Sequence, residues 1–454
     1  MRGGISRAGM MRAGMVRAGV LGLLTAGLLG GCSLFDDEEK LEGERIRIRA
    51  EAPEAPGSFG PDSAGANGAV PLPAPQPISE WTQTNAVSNH NAGHLAGPGT
   101  LDRVWASDAG SGNSDDGTIT GAPVVSGGSV FVLDAEAQVS AFDTSDGDRR
   151  WQSDLTPENE DGSEGFGGGL AVDRGRLFVT TGFGEVVALD TASGEVIWRT
   201  GVGAPFRAAP ATRDGVVVAV TRDNRAFGFD AASGEILWRV PGATSGAGLL
   251  GGASPAIEGR VALVPFASGE LVAVESRNGR RFWNAVLGGG RRGLARSSIA
   301  DVTGDPVVVG PLVVAANQSG RIVAIEGRSG RRIWTRSLGA VRPIWAAGDT
   351  IFLVSDAGAL MRLSARNGST IWSTQLPVFE DPEDREDPIG YSGPVLVEGR
   401  VLVTSSVGEL LAFEGVGGQA VSTTDLAGGS TTGPVVADGT VFVLSDGGVL
   451  EAFR

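Results

Sequence analysis

A fixed spacing between proline and tryptophan recurs along this chain. Twenty-eight residues separate the two residue types four times, and twenty-nine separate a fifth pair. A constant internal period indicates one supersecondary unit used repeatedly, because each unit buries its apolar surface against the next. The pairs are Pro123 with Trp151, Pro210 with Trp238, Pro255 with Trp283, Pro306 with Trp334, and Pro343 with Trp372.

Each unit is predicted to be four short antiparallel strands. In residues 181–200 an apolar run ends in an acid, a turn with glycine follows, and a second run carries the tryptophan. The runs are rich in Val, Ile, Leu and Phe and are bounded by Gly, Asp or Asn, which is typical of strands. Proline fits the first residue of the innermost strand, where its missing N–H costs no ladder hydrogen bond.

Both ends of the repeat region carry incomplete units. The last unit stops at Arg454 after three strands, and Trp105 belongs to an outer strand with no unit before it. Residues 101–107 can supply the missing strand and close a ring. An open solenoid is the alternative, but it needs polar caps. The sequence therefore predicts an all-β, eight-bladed β-propeller of four-stranded antiparallel blades over residues 81–454.

The first 31 residues are predicted to be an export signal. Four arginines precede an apolar stretch, and the sequence LGGC follows at 29–32. A basic region, an apolar region and small residues before a cleavage site are typical of secretory signals. Cys32 is the only cysteine in the chain, and the sequence around it resembles the lipobox of bacterial lipoproteins. That resemblance implies cleavage after residue 31 and lipidation of Cys32, with Met15 as a start that gives a more typical leader.

Residues 32–80 are predicted to be a flexible tether. Acids, Pro, Gly and Ala dominate this stretch, and large apolar side chains are few. A flexible chain of that length spans roughly 40 Å root-mean-square. The formal net charge of the chain is −16, which disfavours nucleic acid and anionic lipid as partners and favours a partner with basic patches.

The form of the repeat, ALDxxxGxxxW, resembles that of the quinoprotein-like propellers. Enzymes of that class bind pyrroloquinoline quinone and Ca²⁺ and oxidise alcohols, so a quinone-dependent oxidoreductase is one alternative function. Those enzymes stack the quinone on vicinal cysteines, and a single cysteine cannot form that pair. We expect no cofactor and no catalytic residues. A generic periplasmic propeller that binds a small molecule in its channel is a further alternative.

Two other features of the sequence contain residue types that bind metals. His90 and His94 are the only histidines, and on a helix they would share one face. The surrounding Asn and Gly favour hydrogen bonding or packing at ring closure instead. The acidic run 379–387 lacks the ligand spacing of an EF-hand and is expected to be a solvated loop. No metal site is predicted.

The lipobox, the acidic tether and the eight-fold ring without cofactor residues together resemble the BamB family of outer-membrane protein assembly lipoproteins. The resemblance implies a non-enzymatic scaffold that is lipid-anchored in the outer membrane and faces the periplasm. It also implies binding to the POTRA domains of BamA and to other members of the assembly complex, and assistance to unfolded β-barrel precursors. Ser33, after the lipidated cysteine, implies export to the outer membrane.

The connections from one outer strand to the next inner strand are the only parts of the unit that vary in length, and variable loops on a rigid scaffold commonly carry recognition. The family's partner-binding motifs are similar to residues 247–251 and 301–306 here. Ala247 and Leu250 stand in place of a Leu and an Arg, and Thr303 in place of an Asp. The resemblance implies these partner-binding residues: Ala247, Leu249, Leu250, Asp301 and Thr303.

The outer strand of each blade leaves an open edge, which can accept an extended strand from another chain. Val421 is predicted to stand where the other units carry tryptophan. The strand near 418–425 is therefore expected to pack most weakly, and it is the first candidate for binding a barrel precursor.

Overall fold

The computed structural model describes residues 70–245, 248, 251–288, 299–340 and 342–454. In these residues the chain forms 34 strands and one short 3₁₀ helix, Gly162–Gly165. Eight of the sheets formed by the described strands have four antiparallel strands, and a ninth is a two-stranded hairpin. The inner strands of successive blades contact one another around an axis. The prediction of an all-β, eight-bladed propeller is confirmed.

Blades 1 to 4 each consist of four consecutive strands, ordered from the axis outward. They are preceded by β1 (Arg103–Asp108). Blade 1 comprises β2 (Val124–Ser126), β3 (Ser129–Leu133), β4 (Gln138–Asp143) and β5 (Arg149–Asp154). Blade 2 comprises β6 (Gly168–Asp173), β7 (Arg176–Thr181), β8 (Glu185–Asp190) and β9 (Val196–Gly201). Blade 3 comprises β10 (Ala211–Arg213), β11 (Val216–Val220), β12 (Arg225–Asp230) and β13 (Ile236–Pro241). Blade 4 comprises β14 (Ala256–Glu258), β15 (Val261–Pro265), β16 (Glu270–Glu275) and β17 (Arg281–Val286).

Blades 5 to 8 follow the same order, with a hairpin inserted before blade 7. Blade 5 comprises β18 (Val302–Val309), β19 (Leu312–Asn317), β20 (Arg321–Glu326) and β21 (Arg332–Arg336). Blade 6 comprises β22 (Trp345–Ala347), β23 (Thr350–Val354), β24 (Ala359–Ser364) and β25 (Thr370–Gln375). The hairpin is β26 (Phe379–Asp381) and β27 (Glu386–Pro388). Blade 7 comprises β28 (Tyr391–Val397), β29 (Arg400–Ser405), β30 (Glu409–Glu414) and β31 (Ala420–Asp425). Blade 8 comprises β32 (Val435–Ala437), β33 (Thr440–Leu444) and β34 (Val449–Phe453).

The two ends of the ring are joined in blade 8. Strand β1 pairs antiparallel with β34 and completes the fourth position of the sheet. Asp102 and Arg454 exchange two backbone hydrogen bonds, of 3.1 and 3.0 Å. The N-terminal strand therefore closes the ring, as the two incomplete units predict.

Tryptophans of the outer strands lock neighbouring blades together. Each indole N–H donates to a carbonyl in the turn between the third and fourth strands of the next blade, over 2.6–3.3 Å. That turn carries a glycine with φ of 71–77°, and a Cβ there would lie 2.5–2.9 Å from the indole ring. Glycine is therefore needed both for its backbone conformation and for the close approach of the ring. The tryptophan–glycine pairs are Trp105 with Gly147, Trp151 with Gly194, Trp198 with Gly234, Trp238 with Gly279, Trp283 with Gly330, Trp334 with Gly368, and Trp372 with Gly418.

The eighth seam lacks this lock for a topological reason. The third and fourth strands of blade 8 come from opposite ends of the chain, so no turn connects β34 with β1. An indole at the equivalent position of β31 would therefore meet neither a turn carbonyl nor a turn glycine. The register places Ser422 there, opposite Ala412 just as Trp151 lies opposite Ala141, so the assignment of Val421 to this position from the sequence is wrong by one residue. Ring closure by β1 thus accounts for the one missing tryptophan.

Residues 70–99, the plug segment, cover one end of the ring. The segment contacts the inner strand, or the turn after it, in all eight blades. Trp81 bridges to Val125 in blade 1 and stacks on Trp345 of blade 6, with ring centroids 5.7 Å apart. The other contacts are Thr82 with Val172, Gln83 with Thr212, Ser88 with Ile257, Asn89 with Val308, Leu95 with Val397, and Ile78 with Asp438. Residues 70–80, which the sequence assigns to the tether, already lie against the ring.

The two histidines fasten the plug segment. His90 is buried with Nδ1 3.0 Å from the Pro306 carbonyl, and burial lowers its pKa to about 4. His94 accepts the Gly399 N–H at Nε2 over 2.7 Å. Its Nδ1 therefore carries the proton and donates to the Pro73 carbonyl, 2.6 Å away. Within residues 70–245, 248, 251–288, 299–340 and 342–454, no group of His, Cys, Asp and Glu is arranged to hold a metal ion.

The tryptophan lock generates a stability prediction. Trp238 is 7% exposed and donates to the Ser276 carbonyl over 2.6 Å. We expect Trp238→Ala to lower the free energy of unfolding by about 3–5 kcal/mol, because it removes a buried ring and leaves a cavity. Ser422→Ala, at the equivalent position of the seam without a lock, should change it by less than about 0.5 kcal/mol, because Ser422 is exposed. Urea unfolding of both variants checks this, and equal losses would contradict the role of the lock.

Candidate partner-binding loops

The plug segment and the outer-to-inner connections lie at opposite ends of the ring. The plug segment contacts the inner strands near the residues where they end, such as Val125 and Ile257. Each outer-to-inner connection enters an inner strand at its first residue. One end of the ring is thus covered by the chain itself, and the other, the connection face, carries the loops of variable length.

The predicted partner-binding residues belong to the connections into blades 4 and 5. Ala247, Leu249 and Leu250 lie outside the described residues. Asp301 and Thr303 stand at the start of β18, where they are 0% and 5% exposed. In this structure, neither of these two side chains is presented on the connection face.

Asp301 is held by a buried ion pair. A terminal nitrogen of Arg207 lies 2.6 Å from its carboxylate, and the two side chains are 3% and 0% exposed. Arg207 comes from the connection into blade 3, not from position 250, where the family motif carries its arginine. Sequence reasoning missed this residue, although an arginine among small residues shortly before the inner-strand Pro210 is an available signal.

Thr303 links blade 5 to the connection that enters blade 6. Its hydroxyl donates to the Ala340 carbonyl, 2.6 Å away, in that connection. Together, Asp301 and Thr303 link the beginning of blade 5 to the connections into blades 3 and 6. Both side chains contact the base of these connections.

A second charged group lies close to the axis. Asp305 is 4% exposed, and it accepts the Ser254 N–H over 2.6 Å. Burial raises the pKa of its carboxyl from 3.8 to about 7. The guanidinium of Arg342, from the connection into blade 6, is attracted to Asp305 and Asp446, while burial lowers its pKa. Opposite charges therefore face one another where the inner strands begin.

The acidic run forms more than a loop. Residues 379–387 include the antiparallel hairpin of β26 and β27 between blades 6 and 7, with Phe379 paired to Pro388. Residues 380–388 are exposed throughout. The hairpin adds an acidic projection to the outer-to-inner connection that enters blade 7. None of the helices among the described residues has the length and apolar character needed to span a bilayer.

The closed ring of eight blades with tryptophan-bearing outer strands defines this chain as a propeller of quinoprotein-like repeats. The family model described as "Outer membrane protein assembly factor BamB" matches residues 102–163, 135–374 and 383–454. The chain therefore belongs to the BamB family of outer membrane protein assembly factors.

Curated relatives match over nearly the whole length. The outer membrane protein assembly factor BamB of Yersinia pestis is 24% identical over 440 residues, covering 95% of this chain and 98% of the relative. The BamB of Escherichia coli K12 is 26% identical over 433 residues, covering 94% and 96%. The prediction that the chain is not an enzyme is confirmed, because these relatives are assembly factors.

Solved structures of an assembly factor and of enzymes share the fold of this chain. BamB from Moraxella catarrhalis superposes with a TM-score of 0.66 at 19% identity, covering 78% of this chain and 100% of that one. A quinohemoprotein alcohol dehydrogenase from Comamonas testosteroni superposes with a TM-score of 0.62 at 13% identity, covering 82% and 80%. At these identities the likeness shows the fold alone.

Asp305 generates a pH prediction. Since its pKa is about 7 in the folded chain and 3.8 ordinarily, the folded state binds more protons between these values. This carboxyl therefore stabilises the fold below pH 4, and that stabilisation is lost as pH rises through 7, by up to about 4 kcal/mol. We expect Asp305→Asn to gain stability over wild type progressively from pH 5 to pH 8. Urea unfolding at four pH values checks this, and parallel curves for the two proteins would refute it.

Proposed function

We propose that this chain is a lipid-anchored periplasmic scaffold that binds the POTRA domains of BamA through the connections into blades 4 and 5. The observation that carries the proposal is that both matched motifs enter neighbouring blades on the connection face. Gly252 at the end of one connection and Asp301 at the end of the other both bond to Arg207. One partner surface can therefore contact both connections.

Leu249 and Leu250 supply the apolar part of the proposed contact. Interfaces commonly combine a few apolar anchors with a polar rim. Asp301 and Thr303 support the contact indirectly. Both are buried, and they fix the start of blade 5. The contact thus has two parts: leucines that meet the partner, and polar residues that support the connection.

Anchoring through Cys32 agrees with this arrangement. The composition of residues 33–69 predicts a flexible tether, and a tether of that length spans roughly 35 Å root-mean-square. The described chain starts at Val70, whose carbonyl accepts a hydrogen bond from Arg362 over 2.9 Å. The anchor therefore joins the ring through the plug segment, and the connection face is left for partners.

The leucine contact is testable with purified proteins. We expect Leu249→Asp and Leu250→Asp each to weaken binding of the POTRA domains about 30-fold or more, corresponding to about 2 kcal/mol, because a charge would replace an apolar anchor. The matched control is Leu237→Asp on β13, where the leucine is 39% exposed on an outer strand. Biolayer interferometry with immobilised POTRA domains measures the affinities. Unchanged binding by both loop variants would reject these connections as the contact.

We also propose that barrel precursors pair with the open edge of β31. All six residues of β31 but one are exposed, and the strand carries no basic residue. Lysine or arginine on an edge strand commonly prevents pairing with another chain. The other seven outer strands carry a tryptophan that holds them to the next blade, whereas β31 carries Ser422 at that position. These features make β31 the most accessible edge for an incoming strand.

An edge charge tests the second contact. We expect Val421→Lys to weaken binding of a labelled peptide from a transmembrane β-hairpin about tenfold, corresponding to about 1.4 kcal/mol. The matched control is Val196→Lys on β9, since Val196 is 48% exposed and Val421 is 50% exposed. Fluorescence anisotropy reports both affinities. If the two lysine variants bind the peptide equally, β31 is not a preferred edge.

A further inference from the structure

Arg207 lies where three successive blades meet. Its N–H donates to the Val220 carbonyl over 3.2 Å, which holds it to blade 3. Its own carbonyl accepts the Gly252 N–H over 2.9 Å, in the connection into blade 4. Its guanidinium reaches Asp301, at the start of blade 5, over 2.6 Å. One residue thus joins the ends of both proposed partner-binding connections.

The pairing of Arg207 with Asp301 is enforced by burial. With 3% and 0% exposure, neither charge has access to bulk water. A buried charge without its counter-ion is strongly destabilising. The guanidinium and the carboxylate therefore stabilise one another, and their contact links the two connections at a fixed distance.

The lack of a side chain at Gly252 leaves room for the guanidinium of Arg207. A Cβ at this position would overlap the Nε and the terminal nitrogen of Arg207. The arginine side chain therefore runs directly against the backbone of the connection into blade 4. The Nε of Arg207 has no hydrogen-bond partner among the described residues, so the terminal nitrogen that reaches Asp301 carries the polar contact of this side chain.

We propose that the Arg207–Asp301 pair is a positioning clamp that sets the affinity of the two connections for their partner without touching it. The proposal rests on the proposed function of these connections. Ordering a loop on binding costs conformational entropy, and fixing its ends beforehand lowers that cost. The clamp fixes one end of each connection, at Gly252 and at Asp301. Arg207 and Asp301 are thus positioning residues, and the leucines meet the partner.

The test compares three changes at the clamp with one elsewhere. Arg207→Met removes the charge, Arg207→Lys keeps it, and the double variant Arg207→Met/Asp301→Leu replaces the buried pair by apolar residues so that no unpaired charge is left. The matched control is Arg362→Met. Arg362 is 0% exposed and donates to carbonyls of the plug segment and blade 7, away from both connections.

Two readouts separate positioning from general stability. We expect the double variant to exchange the Gly252 amide at least tenfold faster by hydrogen–deuterium exchange, and to bind POTRA domains at least tenfold more weakly. Arg207→Met should behave similarly, and Arg207→Lys should recover most of the affinity. Arg362→Met should lower the unfolding temperature and leave both readouts unchanged.

Several results would overturn the clamp. If the folded double variant keeps wild-type exchange and affinity, the pair does not position the connections. If Arg362→Met weakens binding as much as the clamp variants do, the effect is one of stability alone. If the wild-type chain does not bind POTRA domains, the proposed function fails, and exchange at Gly252 then decides by itself whether the pair holds the connections.

Discussion

The contact between an outer-strand tryptophan and the turn glycine of the next blade is the interaction on which the ring depends. A single four-stranded sheet cannot bury both of its faces, so blades are stable only when they stack. The indole fills the outer part of the seam and satisfies its N–H on a turn carbonyl, as with Trp151 and Thr191 at 2.9 Å. Seven seams are held in this way. The eighth seam, between blades 7 and 8, lacks this contact, because blade 8 is completed by the pairing of β1 with β34 and has no turn between these strands.

The two ends of the ring differ in what covers them. The plug segment contacts all eight blades at one end, where Trp81 and Trp345 stack and His90 is buried. The other end carries loops of different lengths whose bases are held by polar contacts, among them the buried Arg207–Asp301 pair. A closed end gives rigidity, and a loop-bearing end with fixed bases gives a surface that can differ between relatives while the ring stays the same.

Much of the fold could be predicted because it repeats. The proline-to-tryptophan spacing gives the unit, and the half-units at Trp105 and Arg454 give closure and the number of blades. The reason for the missing tryptophan, replaced by Ser422, could not be predicted, because it depends on the absence of a turn between two strands from opposite chain ends. The sequence favours hydrogen bonding or packing at ring closure for the two histidines, but their contacts with Pro306 and Gly399 follow from a path of the plug segment that no local pattern encodes.

The sequence alone determined the strand pattern, the ring and the candidate loops, since these follow from period, turn chemistry and motif spacing. Only the tertiary structure decided the direction in which the polar residues of those loops point. Asp301 was expected to meet a partner, and it lies inside against Arg207, 94 residues earlier in the chain. Such a pair depends on blades 3 and 5 being brought together across blade 4. Sequence distance carries no information about that contact, because the burial that makes it necessary exists only once the ring has closed.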